Sequence, residues 1–228
     1  MNLIQRSFQE LFPTKEFQYQ TILKYNKKLG DFNANIRLQS NLLQINMNHK
    51  WKTIDHEIQM GLIQHLLLKL FAKRYKTKIK PTFNIELYNA FIKKIPQMTK
   101  ITHVEPTLLL SFMRVNEQFF HNLLDQPNLK WGQDSKTKLA HYNFHNDTVV
   151  LSSIFQQASE PIIDYLMYHE LLHKKQQFYT KNNRSYFHTT KFKQAEDLYP
   201  NRKQIEREIN QIIKNSKRKQ TLFSKLFS

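Results

Sequence analysis

Four residues in the stretch YHELLHKKQQFYTKNNRSYFHTTKF (168–192) have the types and spacing that chemistry requires. His169 and His173 stand four apart, Glu170 follows the first, and His188 comes fifteen residues after the second. Residues four apart on a helix share a face, so both imidazoles can reach one ion. Glu170 lies about 100° round from His169, where its longer side chain can reach a water on that ion without ligating it. Hydrolysis at zinc needs three neutral or anionic ligands, one open position and a base for the water's proton. The third ligand must come from outside the helix, and His188 is the candidate. The polar loop TKNNRS (180–185) lets the chain double back, and a helix over 186–199 would present the ring. Glu196 and Asp197 are both candidates to hold a ligand imidazole from behind.

The elements that must position these residues are legible on either side. EPIIDYLMYHELLHKKQQF (160–178) has the apolar spacing of a helix, and PTLLLSFMRVNEQFFHNLLD (106–125) reads as another, with Pro106 near its first turn. LKW (129–131) is a short strand ended by Gly132. KTKLAHYNF and DTVVLSS read as a hairpin, with Leu139 and Val149 half buried and His145–Asp147 at the connection. Pro200 stops the 186–199 helix, and NRKQIEREINQIIKNSKRK makes a last amphipathic helix. The tail 216–228 is basic, with Leu222, Phe223, Leu226 and Phe227 on one helical stripe.

The first half looks like a worn copy of the second, although strand-strand-helix units also resemble one another by periodicity alone. Residues 33–70 align with 137–174 without a gap at a constant offset of 104, so that Ile45 falls on Val149 and Leu62 on Leu166. His65 falls on His169, but Leu66 stands at Glu170 and Lys69 at His173. The first half therefore lacks the chemistry. The domain reading is an α+β region over 1–100 of helices plus hairpin, a catalytic domain over 101–215, and the tail 216–228.

Composition narrows the classes. With 228 residues, 40% of them hydrophobic, the chain can bury a core. Three glycines exclude a phosphate-binding glycine loop, and the absence of cysteine excludes disulfides, thiolate zinc sites and cysteine nucleophiles. The start MNLIQRSFQELF is not a signal peptide, and no stretch approaches a membrane span, so the chain reads as soluble, intracellular and cytoplasmic. A net charge of +17 favours polyanions, which makes DNA or RNA a partner to weigh. Trp51 and Trp131, flanked by Lys50, Lys52 and Lys130, are candidates for base stacking, although packing is their ordinary role.

KWGQDSKTKLAHYNFHNDTVVLSS, IIDYLMYHELLH and FHTTKF together resemble the SprT-like zinc metallopeptidase family over roughly 105–215. The resemblance implies a zincin fold, with a small antiparallel or mixed sheet packed on the active-site helix. It implies Zn2+ on His169, His173 and His188, with Glu170 as general base. It also implies a protein or peptide substrate lying along the sheet at Asp147–Ser152 by strand addition. The sequence departs from the family in two ways. A cysteine-bearing zinc ribbon cannot exist here, and the first half has no counterpart. Tyr142, Tyr168, Arg184 and Tyr186 are candidates to stabilise an oxyanion. The expectation is a zinc metallopeptidase; the alternative is a basic nucleic-acid-binding protein with a structural or vestigial zinc site.

Overall fold

The computed structural model describes residues 1–75, 81–177, 179–181 and 184–226, apart from the side chains of 72–73, 179–181, 184–185 and 217–226. The chain is α+β: among the described residues it has seven α-helices, two three-stranded mixed sheets and one two-stranded ribbon. It divides into two compact units, Met1–Met98 with Thr180–Ser185, and Thr99–Tyr179 with Tyr186–Ser228.

In the first unit, α1 (Leu3–Leu11) starts in a capping box, Asn2 and Gln5 each bonding the other's backbone N–H. β1 (Gln20–Asn26), β2 (Ala34–Gln39) and β3 (Leu42–Asn48) form a sheet in the order β1-β3-β2. The central β3 runs parallel to β1 and antiparallel to β2. Alternate residues Leu43, Ile45 and Met47 are fully buried, as a strand with one core face requires. A 3₁₀ helix (His49–Thr53) follows, then α2 (His56–Tyr75) and α3 (Phe83–Met98). At Gly61 of α2 an added Cβ would stand 1.9 Å from the Asn84 carbonyl oxygen, so α3 crosses where only glycine fits. The sequence pattern anticipated β2, β3 and α2. It missed β1, whose partly buried, Lys- and Tyr-bearing run owes its place to pairing with β3.

In the second unit, α4 (Pro106–Phe120) begins with its proline in the first turn and ends at left-handed His121, earlier than the apolar spacing suggested. The Asn116 side chain closes that end by bonding both the N–H and the C=O of Leu124. β4 (Asn128–Trp131), β5 (Ala140–Asn143) and β6 (Thr148–Leu151) repeat the same order, β4-β6-β5, with β6 parallel to β4 and antiparallel to β5. A 3₁₀ helix (Ser153–Phe155) leads to α5 (Glu160–Gln176). Leu129, Val149, Leu151 and Phe155, all fully buried, join α5's Met167 and Leu171 in one core. Each such side chain contributes about 1.5–3 kcal/mol.

Two expectations change here. Residues 180–185 are not simply a polar loop: β7 (Tyr179–Lys181) and β8 (Arg184–Tyr186) pair with each other. The helix expected over 186–199 begins only with α6 (Thr190–Asp197), because the Thr189 hydroxyl accepts the Phe192 N–H and fixes the start there. The last helix, α7 (Arg202–Leu226), includes residues 216–226 of the segment read as a basic tail. The apolar stripe of that tail lies outside the described side chains.

The expected substrate strand also moves. β6, which contains most of Asp147–Ser152, is the central strand and is paired on both sides. The outer edge of β4 is covered as well, by a bridge from Val104 and backbone bonds from Leu129 N–H to His103 and from Glu105 N–H to Leu129. Within this sheet, β5 is the strand with an open edge among the described residues.

Candidate metal centre

α5 places His169 and His173 on one face, and the bend just before α6 brings His188 to them. His188 thus reaches the cluster from the residue preceding a helix cap, not from within a helix. One ligand atom from each of the three rings can be chosen so that all lie within 4.8 Å of one another. His169 Nε2 and His188 Nε2 are 3.3 Å apart. Nitrogen donors on a tetrahedral zinc stand about 3.3 Å apart, given Zn–N lengths of about 2.0–2.1 Å. Phe192, fully buried, packs against all three rings, with centroids 5.1, 4.6 and 4.8 Å from those of His169, His173 and His188. The Thr189 cap therefore sets the position of both His188 and the ring beneath it.

The surroundings give each group a different charge preference. Burial, helped by the neighbouring His169 and His188, pushes His173 down to about 3 and so keeps it neutral. Burial also lowers His188. For His169, burial opposes charging most strongly, but the hydrogen bond to Glu196 and the charges of Glu170 and Glu196 together outweigh it and the pKa is raised. That bond, His169 Nδ1 to Glu196 Oε1, is 2.6 Å long and leaves Nε2 pointing at the cluster. Of the two acids the sequence offered, the fold selects Glu196. Asp197 is exposed and pairs with Arg202.

Glu170 is 3% exposed. Burial pushes its carboxyl up to about 7, against the pull of His169, the backbone N–H of Tyr142 and Lys138. Glu170 Oε2 and His173 Nδ1 are buried with no hydrogen-bond partner. Such atoms cost about 1–3 kcal/mol each in a closed protein interior. Three imidazoles beside a carboxyl with one unpartnered oxygen, two of the rings held neutral, fit a cation with imidazole ligands.

The hairpin β5–β6 is fastened to α5 next to this cluster. Lys174 Nζ bonds both oxygens of Asp147, at 2.6 and 2.7 Å, and the Tyr142 hydroxyl donates to the same carboxylate at 2.6 Å. No pattern in the chain points to this arrangement, because the three residues look like ordinary hairpin and helix-surface positions. Two oxyanion candidates fall away for related reasons: the Tyr142 hydroxyl is held by Asp147, and the Tyr168 hydroxyl donates to the Ala195 carbonyl at 2.6 Å. Tyr186 is exposed, and the Arg184 side chain lies outside the described residues. Trp51 is fully buried and cannot stack on a base.

No protein-family profile matches the chain, and no curated protein matches it. Among solved structures, it is similar to the metallopeptidase zymogen jannalysin of Methanocaldococcus jannaschii, with 20% identity and a TM-score of 0.37. The similarity covers 50% of this chain and 96% of that one. Among the described residues, no helix is long and apolar enough to cross a membrane.

Proposed function

We propose that the second unit is a zinc-dependent peptidase of SprT-like type, with His169, His173 and His188 as ligands and Glu170 as general base. One observation carries the reading: three imidazole donors converge within 4.8 Å beside a buried carboxyl with one unpartnered oxygen. Zinc, when bound, supplies a Lewis acid that polarises the scissile carbonyl and makes water more acidic. Glu170 takes the proton of the attacking water and delivers it to the leaving amine. A pKa near 7 suits a group that must do both. Glu196 holds His169 with Nδ1 as donor. An extended peptide would lie along the open edge of β5. There the register turns the N–H and C=O of Ala140 and Tyr142 away from β6, and the Tyr142 N–H faces Glu170. Glu170→Gln should retain one zinc per chain and lose cleavage of an unfolded protein by about 10²-fold or more. A zinc-loaded variant that cleaves at the wild-type rate would sink the mechanism.

The second reading, nucleic-acid binding with a structural zinc, is favoured by the outward face of the β4-β6-β5 sheet. Lys130, Trp131, His141 and Asn143 line a groove of about 470 Å³ there, with no carboxylate in its lining. Salt-dependent binding of DNA or RNA that Glu170→Gln leaves unchanged, with no proteolysis by the wild type, would select it.

The first unit, in this proposal, is a copy of the second without the site. Both run helix, strand, hairpin, 3₁₀ helix and helix, and both sheets place the third strand in the centre. The 3₁₀ helices begin at His49 and Ser153, and the helices after them at His56 and Glu160, each 104 residues apart. Zinc content should be one per chain and should stay so in His65→Ala. Two zinc ions per chain would contradict the proposal.

A further inference from the structure

Pro200 and Asn201 make the turn between α6 and α7. Asn201 has φ 53°, a left-handed conformation that asparagine tolerates better than most residues. This turn puts Arg202 at the first residue of α7, with its guanidinium folded back over the end of α6. The guanidinium holds three carboxylates. Nε donates to Glu206 Oε1 at 2.8 Å, one terminal nitrogen pairs with Asp197, and the other lies 3.3 Å from Glu196 Oε2. Glu196 thus divides its oxygens, Oε2 toward Arg202 and Oε1 toward His169 Nδ1. The Tyr165 hydroxyl braces the group from below, 3.0 Å from Glu206 Oε1 and 3.4 Å from Glu196 Oε1.

We infer that Arg202 is a positioning residue of the metal centre, acting through Glu196 on His169; the inference rests on the metal reading above. An imidazole can flip its tautomer and rotate its ring, and a ligand histidine is useful only in one of those states. Glu196 selects the state by accepting from Nδ1, but a carboxylate on a short helix is no better placed than its own partners make it. Arg202 supplies the fixed partner. Its planar fork reaches Glu196, Asp197 and Glu206 at once, which the single ammonium of lysine cannot do. Without it, Glu196 keeps only its bond to His169 and a long contact from Tyr165. The carboxylate then swings toward solvent, and His169 loses its orientation. Arg202 does not reach the reacting atoms.

The experiment is zinc affinity of the full-length chain by competition with a chromophoric chelator, together with the visible absorption spectrum of the cobalt-substituted protein. Wild type, Arg202→Gln, Arg202→Lys, Glu196→Gln and the double variant Arg202→Gln/Glu196→Gln are compared, with circular dichroism to confirm folding. Arg202→Gln should bind zinc about 10–100-fold more weakly and shift the cobalt spectrum. Arg202→Lys should fall between it and wild type. The double variant should bind no more weakly than Glu196→Gln alone, because both substitutions break one chain of contacts. Equal affinity and equal spectra in wild type and Arg202→Gln overturn the inference and leave the metal reading standing, as do additive losses in the double variant. If Arg202→Gln does not fold, Arg202→Lys decides: wild-type affinity and spectrum overturn the inference, and a weaker, shifted site supports it. A wild type that takes up no zinc overturns the metal reading, and the inference with it.

Discussion

His65 and His169 are the same side chain at positions 104 residues apart, and their surroundings make them opposites. His169 has a carboxylate 2.6 Å from Nδ1 and is shifted toward the charged form. His65 is buried with its Nδ1 unpartnered, and burial together with Lys69 pushes it down to about 4. Between pH 4 and 6.5 the unfolded chain therefore binds a proton at this residue that the folded chain refuses. The stability that follows is present in full above 6.5 and is lost as pH falls toward 4, by about 3 kcal/mol in all. His65→Phe keeps the ring that packs near Tyr88 and removes the titration. Urea unfolding at a series of pH values should show the variant gaining on wild type as pH drops from 6.5 to 4. A constant difference across that range would mean that His65 does not carry the effect.

At the scale of elements, the link between hairpin and helix decides whether Glu170 meets its strand. Lys174 and Asp147 are side chains of 10% and 6% exposure, joined in a buried pair, with the Tyr142 hydroxyl on the same carboxylate. Removing one partner leaves the other charge buried, which costs about 3–5 kcal/mol. Lys174→Met should show that loss in urea unfolding. Adding Asp147→Asn to it should recover part of the loss, because no buried charge then remains and asparagine tolerates the left-handed backbone of that position. Equal stability of Lys174→Met and wild type would show the pair to be incidental. Asp147 adopts φ 43° in the turn, so the same residue shapes the connection and anchors it.

At the scale of the molecule, a metal that binds only the folded chain should stabilise it by mass action. Free zinc at about 1,000 times its Kd contributes about 4 kcal/mol. For a chain of this length that corresponds to roughly 10 °C in the unfolding midpoint. A chelator should therefore lower the midpoint of wild type and of Glu170→Gln by that amount, and leave His188→Ala unmoved. A shift of equal size in His188→Ala would place the stabilising metal elsewhere. The net charge of +17 is a separate property of the whole chain and carries no information about the fold.

What the sequence determined by itself is local. The four-residue spacing of His169 and His173 put both rings on one helix face, because helical geometry depends only on the chain between them. The β5–β6 hairpin and the start of α4 were legible for the same reason: alternation and a proline in the first turn act over a few residues. Tertiary structure decided the rest, through contacts between residues distant in the chain. It made β6 central and β5 the open edge, since strand order depends on pairing across a crossover. It chose Glu196 over Asp197, which are neighbours in sequence but face different ways on α6. It bound the tyrosine hydroxyls that proximity alone had made candidates. It placed Arg202 over Glu196 by one left-handed asparagine, a turn that no periodicity records. The sequence names the candidate donors, and long-range packing decides which of them meet.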